Sequence, residues 1–117
     1  MEKSLNNDFV NRLVQDVHAQ ASLLFKDSLN NVILFGSYAR GNYDEYSDID
    51  FMLVVNLSSV QLSGYRKEIA KVASKLSLQY DLTVSLHLQD SHTIARYGDV
   101  LPYFKNVMEE GIFTNAG

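Results

Sequence analysis

Leu5, Phe9, Leu13, Val17, Ala21 and Leu24 recur every three or four residues, with Asp8, Arg12, Asp16 and Gln20 between them. That spacing predicts an amphipathic helix over residues 5–29, broken by Asn30-Asn31. Val32-Ile33-Leu34-Phe35 follows as an unbroken apolar run stopped by Gly36, the pattern of a strand buried on both faces. Residues 37–47 form a polar, glycine-containing connection. Ile49 to Val55 reads as a second buried strand ended by Asn56.

Leu62, Tyr65, Ile69, Val72, Ala73 and Leu76 mark one face of a second helix, predicted over 61–79. From Asp81 to Leu88 the pattern changes to strict alternation. Asp81, Thr83, Ser85 and His87 are polar, whereas Leu82, Val84, Leu86 and Leu88 are apolar. This predicts a third strand with one apolar and one polar face. Asp90 or Ser91 can cap a short helix through Tyr97. Pro102 suits the first turn of a last helix, and Gly111 a left-handed end to it. The order helix, strand, loop, strand, helix, strand, helix, helix describes a small α/β (α+β) domain, with helices mainly on one face of a mixed sheet.

The chain has 117 residues, which predicts one domain over 1–117 and a core burying roughly 65% of the unfolded surface. It has no cysteine, so disulfides, thiolate metal sites and cysteine nucleophiles are excluded. Ten basic against fourteen acidic residues give a net charge of −4, which disfavours non-specific nucleic-acid binding. A nucleotide substrate remains open, because a metal ion can supply the positive charge. The polar N-terminus shows no signal peptide and no apolar run approaches a membrane span, so a cytoplasmic protein is expected.

Candidate chemistry gathers in Phe35-Gly36-Ser37-Tyr38-Ala39-Arg40-Gly41 and, with ten residues between it and Ser37, in Asp48-Ile49-Asp50. A buried strand that runs into Gly-Ser lets a phosphate approach the main chain. A helical turn after it would aim N–H groups at that anion. Asp48 and Asp50, two apart at a strand start, point to one face. Such a pair repels itself unless a cation lies between. Oxygen ligands beside a phosphate suit Mg²⁺. Together these features are the layout for metal-assisted nucleotidyl transfer. Arg40 can contact phosphate, or pair with Asp44, Asp48 or Asp50 and hold the loop. Tyr38, Tyr43 and Tyr46 flank the cradle, to stack on a base or to pack the turn.

These residues resemble the signature of the DNA polymerase β-like nucleotidyltransferase superfamily. They are most similar to its minimal nucleotidyltransferase branch, whose core reads Gly-Ser-x-Ala-Arg-Gly and then Ser-Asp-Ile-Asp. The resemblance implies a polymerase β-like palm that moves a nucleoside monophosphate, AMP from ATP, to an acceptor hydroxyl. It implies that Gly36 and Ser37 hold the triphosphate and that Asp48 and Asp50 bind one or two Mg²⁺. A third carboxylate on the neighbouring strand would complete the site as base, with Asp81 the candidate. If that strand is displaced, Ser85 or Thr83 takes the place and the third carboxylate is missing. The palm would lack a wall for the acceptor, to be supplied by a second copy or another protein. Minimal nucleotidyltransferases are often paired with a small helical HEPN-domain protein as antitoxin and toxin. The alternatives are a non-catalytic palm that binds nucleotide or partner, and an enzyme acting on a small molecule such as an antibiotic.

Overall fold

In the computed structural model, which describes residues 8–114, the apolar stripe Val10, Leu13, Val17, Ala21 and Phe25 is buried along helix α1 (Asp8–Phe25). The predicted start of this helix, Leu5 included, lies outside the described residues. Its end comes sooner than the spacing predicts. Lys26 takes a positive φ of 50°, and Lys26–Ser28 form a 3₁₀ turn. The chain then enters strand β1 (Leu29–Phe35) directly. Asn30 and Asn31 are exposed members of this strand rather than a break. Leu29 and Asn31 pair with Val55 and Val54 of strand β2 (Ile49–Val55) across a register shift.

A single helical turn, α2 (Ser37–Arg40), separates β1 from the loop into β2. After β2, Ser58 accepts from the Gln61 N–H while the Gln61 side chain accepts from the Ser58 N–H, a capping box that starts α3 (Ser59–Ser63). The expected helix over 61–79 is therefore two, parted at Gly64, with α4 (Arg66–Tyr80) carrying the buried Ile69 and Leu76. Strand β3 (Val84–Asp90) follows, then α5 (Ser91–Tyr97) and α6 (Pro102–Glu110), with Pro102 in the first turn as expected. Gly111 does not take the left-handed end predicted for it. Its φ of −69° and ψ of 153° are extended, and they feed a fourth strand that the sequence pattern did not announce, β4 (Ile112–Thr114). Three residues are too few to show alternation.

The sheet runs β3-β2-β1-β4, with β2 parallel to β3 and β1 antiparallel to both neighbours. The two unbroken apolar runs are thus the two inner strands. Phe51, Leu53 and Val55 join α1 and α4 in the larger cluster on one face. Met52 and Val54, with Ile33, pack on the other face against Val107, Phe104 and Met108 of α6 and Ile94 of α5. The long helices thus take one face, and the short C-terminal pair covers part of the other. His18 is buried on α1, where its Nε2 lies 2.7 Å from Thr114 Oγ1. That hydroxyl spends its one proton on the Val32 carbonyl, so His18 donates and ties α1 to both β1 and β4.

Asp90 caps α5 through the Thr93 N–H at 3.0 Å and the Thr93 hydroxyl at 2.8 Å. Burial alone would raise its carboxyl pKa, but these bonds hold it below the ordinary 3.8. A depressed carboxyl stabilises the fold above its unfolded value and loses that contribution as pH falls through the folded value. Asp90→Ala should therefore cost about 1 kcal/mol at neutral pH in urea denaturation. The deficit relative to the parent chain should shrink as pH drops below 3.8.

Candidate active site

The site is built where β1 ends beside the start of β2. Phe35 is opposite Asp50 in the ladder, so the next residue, Gly36, leaves the sheet directly over the Asp50 side chain. A Cβ on Gly36 would lie 2.7 Å from Asp50 Oδ2. Gly36 also has φ 79° and ψ −154°, a region essentially restricted to glycine. The dihedral angles demand glycine here, and the short approach shows that the main chain of the turn lies against the Asp50 carboxylate.

From Gly36 the chain makes one turn and stops. The Arg40 N–H donates to the Gly36 carbonyl at 3.1 Å, and the Gly41 N–H to the Ser37 carbonyl at 2.9 Å. Gly41, at φ 85°, is the left-handed end of α2. The first N–H groups of such a turn have no acceptor inside it, so they can turn to an anion. Beyond it, Asp44 and Ser47 bond to each other, and Tyr38 stacks on Tyr43 with ring centres 4.0 Å apart and planes 7° apart. These two tyrosines stack on each other, with Tyr43 still partly exposed at 42% and Tyr46 almost wholly exposed at 87%. Burial, then Tyr43 and Asp44, push the Tyr38 phenol above its ordinary value. Arg40 pairs with none of the nearby aspartates. It reaches Glu110 of α6 at 3.7 Å, both side chains about half-exposed.

Asp48 is exposed in the loop, and Asp50 lies one residue into β2 on the face of Met52 and Val54. The buried Ile49 between them is already in the ladder, its N–H on the Thr83 carbonyl at 2.9 Å. Asp81 does not open β3. It ends α4 with φ 54°, its N–H on the Ser77 carbonyl, and it is exposed three residues before the strand. The helix runs on to Tyr80 because that ring still packs on Phe9 and its hydroxyl bonds Asp16 of α1. Burial and that bond raise the Tyr80 phenol to about 12. Asp tolerates the left-handed conformation, so the stop falls on Asp81. Ser77 Oγ then accepts the Val84 N–H and sets the strand start.

The predicted alternation does hold within the strand. Val84, Leu86 and Leu88 join the helix-covered cluster, and Ser85 is the register partner of Asp50. Two residues on, His87 brings Nε2 to 3.4 Å from Asp50 Oδ1. Its ring stands edge-on to Phe35, with centres 5.3 Å apart. Tyr103 of α6 closes this side, edge-on to Phe35 at 6.2 Å. Burial, then the charge of Asp50, raises the Tyr103 phenol. The sequence pattern placed His87 only on the polar face of the third strand and did not single out Tyr103. The signal for His87 was parity, because it shares the polar face with Ser85. Among the described residues no three His, Asp or Glu side chains gather into a ready metal cage. Asp50 against the glycine turn, with the exposed Asp48 two residues before it in the loop, still offers oxygen ligands that fit a divalent ion whose other ligands come with a triphosphate. A cavity of about 530 Å³ lies to one side, between α3, α4 and the outer edge of β3, and His87 is on its rim.

A family model described as a nucleotidyltransferase domain matches residues 20–111. Two Methanocaldococcus jannaschii proteins named "Putative protein adenylyltransferase", MJ0141 and MJ0604, are similar to the chain. The first is 41% identical over 73 residues, 62% of this chain and 72% of the relative. The second is 30% identical over 87 residues, 74% of this chain and 79% of the relative. A solved structure described as a toxin-antitoxin with AMP-PNP shares the fold. Its TM-score is 0.51 at 21% identity, covering 93% of this chain and 72% of the other.

The Gly36–Asp50 contact can be measured as a coupling. Gly36→Ala should destabilise the fold by about 1–3 kcal/mol. Asp50→Ala in the same chain should recover part of that loss, because the carboxylate is what the new methyl meets. The coupling should exceed about 0.5 kcal/mol in thermal denaturation of the four variants of the cycle. Additive losses would show that the turn does not rest on Asp50.

Proposed function

We propose, for a chain that belongs to the nucleotidyltransferase domain family and is a nucleotidyltransferase, that it transfers AMP from ATP to a hydroxyl of another protein. The observation that supports this reading is the glycine turn close against the Asp50 carboxylate, since N–H groups that would hold phosphate then lie beside an oxygen that would hold a metal. The names of the relatives, protein adenylyltransferases, support a protein as acceptor. Gly36 and the Ser37 N–H and hydroxyl would hold the β- and γ-phosphates. Asp48 and Asp50 would hold Mg²⁺, which when bound neutralises the triphosphate and favours the acceptor alkoxide. The acceptor oxygen attacks the α-phosphorus, the bond from that phosphorus to the bridging β-phosphate oxygen breaks so that pyrophosphate leaves, and the hydroxyl proton passes to water. Arg40 is proposed as a phosphate contact, because its ion pair with Glu110 is exposed and so holds it weakly. The base role expected of Asp81 needed a place on β3 and is not carried into this reading.

The acceptor is proposed to be a small helical protein of the HEPN type, with this chain as its antitoxin. The toxin-antitoxin neighbour supports that pairing at the level of fold. So does an apolar surface beside the site, where Tyr97, Val100, Leu101 and Tyr103 are all exposed. The cytoplasm, where ATP and Mg²⁺ are abundant, is the compartment this reading requires. Among the described residues no helix is long and apolar enough to cross a membrane.

ATP should raise the melting temperature only with Mg²⁺ or Mn²⁺ present, by an amount corresponding to about 2.7 kcal/mol at a hundredfold excess over Kd. EDTA should abolish the rise. Asp50→Asn and Asp48→Asn keep side-chain size, so they should fold yet fail to move label from α-labelled ATP onto protein. Label transfer that survives Asp50→Asn would contradict the reading.

A further inference from the structure

The face of the sheet that carries Asp50 receives two polar side chains from β3 near that carboxylate, Ser85 and His87. Neither is acidic, so the oxygen-only metal set expected from the motif is not what this strand presents. The His87–Asp50 contact is long for a hydrogen bond to an imidazole nitrogen, at 3.4 Å against a usual 2.7–3.2 Å. Such a contact holds the two groups side by side without binding them tightly. Two neighbouring ligands of one octahedral ion, each about 2.1 Å from it, lie about 3.0 Å apart, so closing by about 0.4 Å would bring both onto one ion. The ring of His87 is braced edge-on by Phe35, and its side chain is 43% exposed, so its nitrogen is both positioned and reachable.

We propose that His87 is a metal ligand, and that Asp50 Oδ1 and His87 Nε2 seat one divalent ion whose remaining ligands are Asp48 and triphosphate oxygens. The proposal rests on the reading of Asp50 as a metal carboxylate. It deepens that reading by changing the metal. A nitrogen ligand is of little use to Mg²⁺, which prefers oxygen, but it suits first-row transition ions. The site should therefore favour Mn²⁺ over Mg²⁺ by more than two carboxylates alone would.

The test uses the full chain with Mn²⁺ and inorganic tripolyphosphate, a probe that contains no nitrogen. Pulsed electron paramagnetic resonance should show ¹⁴N modulation on bound Mn²⁺. Labelling histidine with ¹⁵N should replace that pattern with the ¹⁵N one, with no substitution needed. His87→Ala should remove the modulation and weaken Mn²⁺ binding about tenfold or more, the scale on which even outer-shell losses act. His87→Asp should keep an ion bound without nitrogen and move the Mn²⁺-to-Mg²⁺ affinity ratio toward Mg²⁺. His92→Ala should change none of these. Mn²⁺ that binds in an Asp50-dependent way without histidine nitrogen overturns the proposal and leaves the reading of Asp50 standing. Absence of Mn²⁺ binding, or binding indifferent to Asp50→Asn, overturns both.

Discussion

One close approach organises this end of the molecule: the main chain of Gly36 against the carboxylate of Asp50, with no room for a methyl group between them. It follows from the ladder, which pairs Phe35 with Asp50 and sends the next residue over that side chain. The turn that follows therefore opens on a carboxylate, and a bound triphosphate would have to share the space with it. A cation is the physical solution to two negative groups held so close. The chemistry of the site is thus a consequence of strand register and a missing Cβ more than of any single reactive side chain.

The side chains that fix which face of each inner strand is which are apolar and central. Val32, Ile33 and Leu34 on β1 and Phe51, Met52 and Leu53 on β2 are fully buried or nearly so, the inner pair of a four-stranded sheet. A one-residue slip of either strand would exchange its two sets of side chains between the faces, so the pairing has little freedom. The long helices α1 and α4 seal one face. The short helices α5 and α6 cover the other only in part, which leaves Asp50, Ser85 and His87 at an accessible end with Tyr103 at its border. A nucleotide, its metal and an acceptor can all approach there.

Most of this was legible in the sequence where one physical effect dominated. The continuous apolar runs announced the inner strands, and Gly36-Ser37 with Asp48 and Asp50 marked the candidate site at their junction. The parity of Val84, Leu86 and Leu88 against Ser85 and His87 was readable too. What was not legible depended on contacts between distant segments. Asp81 continues the polar alternation in the sequence. Tyr80, however, anchors its helix to Asp16 and Phe9, so the helix ends on Asp81 and the strand begins later. The split of the second helix turned on a capping box at Ser58 and Gln61. β4 is made of three residues whose partners lie some eighty positions earlier. The nearness of His87 to Asp50 needed the parallel register of β2 and β3, which no local pattern encodes.

The central claim is that a metal–nucleotide complex binds at the Gly36 turn and the Asp50 carboxylate. The most direct test is the amide spectrum of the ¹⁵N-labelled chain titrated with ATP and substoichiometric Mn²⁺, whose unpaired electrons broaden nearby signals. The account predicts that broadening centres on residues 36–40, 48–51 and 85–87 and vanishes with Asp50→Asn. Broadening centred instead on the groove between α4 and the outer edge of β3, around Arg66 and Ala70, or left unchanged by that substitution, would contradict it.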